Sequence, residues 1–401
     1  MMKNRCRLSP IKAFLAFFFL TSQIAGAVTL SPEARISLLT ASPGQALYSV
    51  FGHSAVRVQD SLNSMDIVFN YGTFDFETPG FYTKFVKGKL PYMLSTETFI
   101  GFQSEYKSEG RTIEEQLLNL SQDEKQKIFD FLLVNREPEN RFYQYDFFFD
   151  NCATRIRDLV DKELDINWDE NTPSDLSFRD LITIYLTNHQ WAKFGIDLLL
   201  GYPCDRIASA WEYQFLPDFM HDAFKNAKKG NGSPLIWETK TIIEKFPQQE
   251  EKLVFTPILF CWIIFLVALL SLLNKTTSKI FDAFFFSILG LTGILLFFMW
   301  FFTDHQVARW NLNLLWAFPL HLIFIFPALI KKPANWIKKY FLGSSIIAAL
   351  LIIGWFWVPQ NYHPAFFPLI LASAIKGFNL AGFFNPISFI KKKCCKNSID
   401  K

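Results

Sequence analysis

The sequence predicts an α+β exported domain followed by an all-α, multi-pass membrane domain of about five spans. Three observations carry this. The chain opens on a leader-like segment, with Lys3, Arg5, Arg7 and Lys12 ahead of the apolar stretch Ala13 to Leu20 and the small-residue site Ala25-Gly26-Ala27. Between about residues 34 and 72, short apolar segments alternate with polar residues at period two, as half-buried strands do. From about Phe255 the chain turns into long apolar runs separated by short polar loops. The expected boundaries are 1–27 for a signal peptide, 28–252 for the exported domain, 253–390 for the membrane domain and 391–401 for a basic tail. An uncleaved anchor is the alternative for the leader; the small-residue site disfavours it.

Composition excludes little by itself. The net charge of +3 gives no reason to expect a nucleic-acid partner. No set of His, Cys and carboxylates has metal-ligand spacing, and there is neither a glycine-rich phosphate loop nor a G-x-S-x-G elbow. No metal or cofactor is expected. Of six cysteines, only Cys152 and Cys204 belong to the exported domain. In an oxidising compartment these two invite a disulfide reading, although Cys204 follows Tyr202-Pro203 in a turn-like stretch.

In chain order, Ala34 to Thr40 reads as a strand. A second begins at His53 beside Gly52, with Ala55 and Arg57 on one face and Val56 and Val58 on the other. A third covers Asp66 to Gly72 and ends on Asn70 and Tyr71. Phe74 to Tyr92 is rich in aromatic residues and glycine. It reads either as core or as an aromatic floor for an acyl chain. Thr112 to Leu120 is a strand or short helix. Ser121 with Glu124 forms a capping box for a helix through Ile128, Phe131 and Leu132, ended by Pro138. His189 and His221 fall in helical or turn segments with no cluster around them.

The stretch Asp150-Asn151-Cys152-Ala153-Thr154-Arg155 then places a cysteine in the first turn of an amphipathic helix, capped by Asp150 or Asn151. The unpaired amides and partial positive charge of a helix start favour a thiolate, the reactive form of cysteine. A structural cysteine is the bland alternative.

The order is strand with His, strand with Asn, helix, then Cys at a helix start. This resembles the circularly permuted papain-like proteins, including the lecithin retinol acyltransferase-like group. More specifically, Phe51-Gly52-His53-Ser54-Ala55, Asn70-Tyr71-Gly72-Thr73-Phe74-Asp75-Phe76 and Asp150-Asn151-Cys152-Ala153-Thr154-Arg155 resemble the signature of the Lnb-type family. That family is implicated in lipoprotein N-acylation in the Gram-negative envelope. It joins an N-terminal periplasmic domain to a C-terminal membrane domain. The resemblance implies Cys152 as nucleophile, His53 as its base and Asn70 as the group orienting the imidazole, with Tyr71 and Asp75 as rivals for the third role. It implies a membrane phospholipid as acyl donor and diacylglyceryl lipoproteins as acceptors. A membrane-tethered papain-like hydrolase and a non-enzymatic scaffold or sensor are the alternatives.

Five spans are expected: Phe255 to Leu273, Ile280 to Phe302, Leu314 to Ile330, Tyr340 to Val358, and Ala365 to Ile390, the last interrupted by Lys376 and Asn379. Lysines crowd alternate loops and the tail Lys391-Lys392-Lys393 and Lys396. Basic residues favour the cytoplasmic side, which puts the first domain in the periplasm and the protein in the inner membrane. The outward loop from Thr303 to Asn313 is an ordinary wet loop or a grip on a lipid head group. In the second case His305, Arg309, Asn311 and Asn313 join Tyr71 and Arg155 as candidate substrate contacts.

Overall fold

The structure is a computed structural model describing residues 28–169, 175–244 and 254–383. The expected signal peptide, the boundary near residue 252, the end of the expected fifth span and the lysine tail lie outside the described residues.

The first domain is mixed α/β. In chain order it contains β1 (Arg35–Ala41), β2 (His53–Asp60), β3 (Met65–Thr73), α1 (Phe81–Val86), β4 (Pro91–Thr98), α2 (Phe99–Ser108), β5 (Ile113–Leu118), α3 (Gln122–Asn135), β6 (Phe142–Gln144) and α4 (Cys152–Glu163). There follow β7 (Ile166–Asn167), α5 (Phe178–Leu186), α6 (Gln190–Leu199), α7 (Ala210–Tyr213), α8 (Pro217–Asn226), β8 (Lys228–Lys229) and β9 (Ile236–Ile243). Seven strands form one sheet in the order β6-β4-β3-β2-β1-β5-β9, all antiparallel. Thr112 to Leu120, open between strand and helix on sequence, is the strand β5.

Both faces of the sheet are covered, because side chains alternate across a strand. Val56, Val58, Phe69 and Tyr71 pack against α3, α4 and α8. Leu39, Ala41, Ala55 and Val68 pack against Phe99, Phe102 and Tyr106 of α2. α3 carries the expected capping box, Ser121 with Glu124.

The aromatic stretch after β3 is not core: α1 buries none of its side chains. The strand β4 and helix α2 that follow had no clear sequence signal. Tyr92 packs on Tyr145, and Thr98 caps α2.

The second part is helical: α9 (Pro257–Ser271), α10 (Lys275–Phe301), α11 (Leu320–Ala328), α12 (Asn335–Ile353) and α13 (Phe366–Ala381). Three stretches are long and apolar enough to cross a membrane: Lys275–Phe301, the broken stretch Gln306–Ala328 and Asn335–Ile353. α9 and α13 stand where the first and fifth spans were expected. At 15 and 16 helical residues they rise about 22–24 Å, short of a ~30 Å hydrocarbon core. The lysine that interrupts the last apolar run has a partner. Lys376 Nζ lies 3.1 Å from Asp282 Oδ1 and donates to Ser271 Oγ and Ser278 Oγ at 2.8 Å each, tying α13 to α9 and α10.

The two parts interlock. Gly201 N–H donates to the Val307 carbonyl at 2.7 Å, and Asn311 Nδ2 donates to the Leu198 carbonyl at 2.8 Å. A Cβ on Gly201 would stand 1.9 Å from the Arg309 carbonyl oxygen, so only glycine permits this contact. Behind it, buried Arg179 holds Asp197 and Asp205 at 3.0 and 2.8 Å, and Asp205 also accepts from the Asn361 N–H at 3.1 Å.

Candidate active site

Cys152 is the first residue of α4, and Asn151 caps the helix. Asn151 Oδ1 accepts from the amides of Ala153 and Thr154 at 2.8 and 2.9 Å, while its Nδ2 donates to the carbonyls of Phe147 and Phe215. The cap side chain is thus locked from both ends. It also occupies two amides that a bare helix start would offer to an oxyanion.

The helix start approaches the sheet at a bulge. The β3–β4 register shifts between Asn70 and Thr73, and Gly72 there has φ of 87°. A Cβ on Gly72 would lie 3.5 Å from Cys152 Cβ and 3.8 Å from the Tyr145 ring. The left-handed backbone, rather than lack of space, is what demands glycine. The backbone amide of Ser54, the residue following His53, works to lower the pKa of the Cys152 thiol, so the start of α4 lies near the head of β2.

His53 begins β2. Its Nε2 is 3.2 Å from Asn70 Oδ1, and Asn70 Nδ2 donates to Glu97 Oε1 at 2.8 Å. This chain fixes the tautomer. Glu97 accepts, so the Asn70 amide nitrogen faces it and the amide oxygen faces His53. Nε2 therefore carries the proton, and Nδ1 is left as the basic nitrogen. The imidazole also stacks on Tyr106, with ring centroids 6.3 Å apart.

Burial sets the protonation states. It holds the His53 pKa down at about 4, with help from the positive Arg111; the Asn70 bond opposes this. Burial also pushes the Cys152 thiol up, against the amides of Ser54, Ala153 and Cys152 and the Arg111 charge. The helix start was expected to ease ionisation. It does, but desolvation outweighs it. Both shifts favour the neutral form of their group. Arg111 acts on both groups, and Tyr106 stacks on His53.

Of the three rivals for the orienting role, Asn70 is the one that bonds His53. Tyr71 points to the opposite face of β3, is 1% exposed and donates to Asn135 Oδ1 at 2.6 Å. Asp75 sits in the turn beyond, where it accepts from the Glu77 N–H. Arg155 is paired with Asp150 at 2.6 Å and lies over the Tyr143 ring. Asn311 and Asn313 are buried and hold carbonyls at the end of α6, so they dock the two parts together rather than face a ligand. His305 packs over Gly88; Arg309 is exposed at a groove. The loop from Thr303 to Asn313 is thus neither wholly wet nor wholly a ligand grip.

Sequence reasoning missed Glu97, Tyr106 and Arg111. None of the three left a trace in the local sequence pattern: Glu97 lies in the polar run Ser95-Thr96-Glu97-Thr98. Cys152 and Cys204 are both free thiols, so the disulfide reading fails. Cys204 is fully buried, and burial pushes its pKa up to about 12. Among the described residues no group of three or more His, Cys, Asp or Glu could hold a metal ion.

Fold and site together define a membrane protein whose α/β domain carries a capped cysteine at the start of α4 and an Asn-bonded histidine at the head of β2. Residues 26–183 match the family model described as the Lnb N-terminal periplasmic domain, and residues 248–383 match the Lnb transmembrane domain. The chain belongs to the Lnb-type family, with both domains in the expected order and the N-terminal one of the periplasmic type. No curated protein and no solved structure matches it.

Proposed function

We propose that this protein is a thiol acyltransferase of the inner membrane, moving an acyl chain from a phospholipid through a Cys152 thioester to the N-terminal amine of lipoproteins. The observation that carries the reading is the linked set Glu97, Asn70 and His53 at the head of β2, near the capped Cys152 at the start of α4. Family membership supports the acyl-transfer chemistry. The strand and helix order supports a permuted papain-like domain; of the five proposed spans, three rest on membrane-length apolar stretches and two on the shorter apolar helices α9 and α13.

In the first step Nδ1 of His53 takes the proton from the thiol. The sulfur bonds to an ester carbonyl carbon of the phospholipid. The C–O ester bond breaks, and the imidazolium returns the proton to the departing oxygen, giving a lysophospholipid. In the second step the α-amino group of a diacylglyceryl-cysteine attacks the thioester. The C–S bond breaks, an amide forms, and one amine proton returns to the sulfur. Splitting the transfer in two lowers each barrier. Fixing both lipid-anchored partners at one depth supplies proximity. A neutral imidazole suits this sequence, because it is ready to accept the proton without first losing one.

The hydrolase alternative uses the same pair with water as acceptor, and the interlocked membrane part gives it no added role. The scaffold alternative is weakened by the free, half-buried Cys152. The test is mass spectrometry of lipoproteins from cells whose only copy is Cys152→Ser. Loss of the N-acyl group supports the transferase; unchanged N-acylation removes it.

A further inference from the structure

The segment after β3 shows its rings to the outside. Phe76, Tyr82 and Phe85 are 72, 80 and 53% exposed. Contiguous exposed apolar surface of this kind marks an interaction site. The backbone beneath is pinned. The Lys87 carbonyl accepts from the Asp304 N–H at 3.0 Å, and the Gly88 carbonyl from Gln144 Nε2 at 2.9 Å. His305 Nε2 faces the Val86 carbonyl at 3.2 Å. Asp304 and His305 follow α10, whose 27 residues rise about 40 Å. The aromatic arm is therefore fastened at the mouth of a membrane-length helix.

A groove of about 590 Å³ opens at the same junction, between Lys89 and Arg309 and against Trp300, Phe302 and Trp310. Trp310 has φ of 52°, a left-handed conformation that bulky residues avoid, and packs on Trp300 with centroids 5.0 Å apart. Strain of this kind persists where the surroundings over-determine it, commonly at binding sites. Lys84 and Lys87 add positive charge along the arm. Asp304 lies 3.9 Å from Lys89 and also accepts from Gln144.

From the arm, rings lead inward. Phe81 contacts Phe76, Phe76 contacts Phe74, Phe74 contacts Tyr92 and Tyr92 stacks on Tyr145, with centroids 4.2–5.2 Å apart. Tyr145 and Cys152 both border Gly72.

We propose that arm and groove together hold one glycerophospholipid. Its phosphate sits between Lys89 and Arg309, and one acyl chain runs along the ring row toward Cys152. A guanidinium and an ammonium suit a phosphate through charge-assisted hydrogen bonds, and tryptophans suit the lipid interface. The inference rests on the acyl-transfer reading and locates its donor.

The test uses full-length Cys152→Ser protein in nanodiscs, so that no transfer can consume the lipid. It is photolabelled with phosphatidylglycerol carrying a diazirine in one acyl chain, and labelled peptides are read by mass spectrometry. The expected result is label on residues 74–92 and on Tyr145, reduced roughly tenfold by Lys89→Gln with Arg309→Gln. A diacylglycerol probe lacking phosphate should lose nothing in that variant. Label confined to the apolar helices, or label indifferent to the double variant at unchanged melting temperature, overturns the proposal. So does full displacement by free glycerol phosphate, which would make the groove a site for soluble phosphate esters. If the arm labels as expected but wild-type Cys152 never carries an acyl group, the acyl-transfer reading fails and the lipid site stands.

Discussion

Replacing Asn70 with alanine isolates the contribution of the orienting side chain. Asn70 is 4% exposed and makes two bonds, from His53 Nε2 at 3.2 Å and to Glu97 at 2.8 Å. Alanine leaves the Nε2–H without a partner in a desolvated site. An unsatisfied buried donor costs about 1–3 kcal/mol, and 1.4 kcal/mol is about tenfold in rate. With the ring free to turn or to hold its proton on Nδ1, the rate of Cys152 acylation should fall about 10- to 100-fold. The Asn70 bond also raises the His53 pKa, so any residual activity should persist to lower pH than in the wild type. The assay is single-turnover acylation of the purified protein in lipid, followed by intact mass. Tyr71→Phe is the matched control. It removes a buried bond to Asn135 on the opposite face and should cost about 1 kcal/mol of stability with little effect on rate. A wild-type rate for Asn70→Ala, or an equal loss in Tyr71→Phe, would refute the assignment.

Three further outcomes follow from the geometry. His53 is held at about 4 by burial, below its ordinary 6.5, so the acid limb of the acylation rate should fall near pH 4 rather than 6.5. By linkage the unfolded chain takes this proton first. The stability His53 contributes is therefore full above about pH 6.5 and is lost as pH falls toward 4, which denaturant melts across that window would show. Gly72→Ala forces a side chain into a backbone of φ 87° and should destabilise by about 1–2 kcal/mol, read as a lowered unfolding midpoint. Gly201→Ala places a Cβ 1.9 Å from the Arg309 carbonyl oxygen. It should raise hydrogen exchange at the junction amides of Gly201 and Tyr202 while leaving β1 to β3 protected.

Much of the fold around the candidate site was legible in the sequence because local chemistry determined it. The alternation around His53 and Asn70 marked β2 and β3, and Ser121 with Glu124 marked α3. Asn151 before Cys152 marked the start of α4. What stayed hidden depended on long-range contacts. Glu97 belongs to the site only because β4 pairs with β3, and Arg111 only because its loop folds back beside the sheet. Asn311 and Asn313 looked like solvent-facing polar residues. They are buried because α6 ends in carbonyls that need donors, a demand no local pattern records. The thiol's resting state was misjudged for a similar reason: capping and charge can be read along the chain, whereas desolvation comes from the packed fold around Cys152.

The central claim is a covalent acyl group on one sulfur. Intact-protein and peptide mass spectrometry of the protein incubated in phospholipid vesicles, without a lipoprotein acceptor, tests it most directly. The account predicts one fatty-acyl adduct on Cys152, removed by neutral hydroxylamine and absent in Cys152→Ser and His53→Ala. Lysophospholipid released in steady turnover with no adduct on Cys152, or an adduct that survives hydroxylamine, would contradict it.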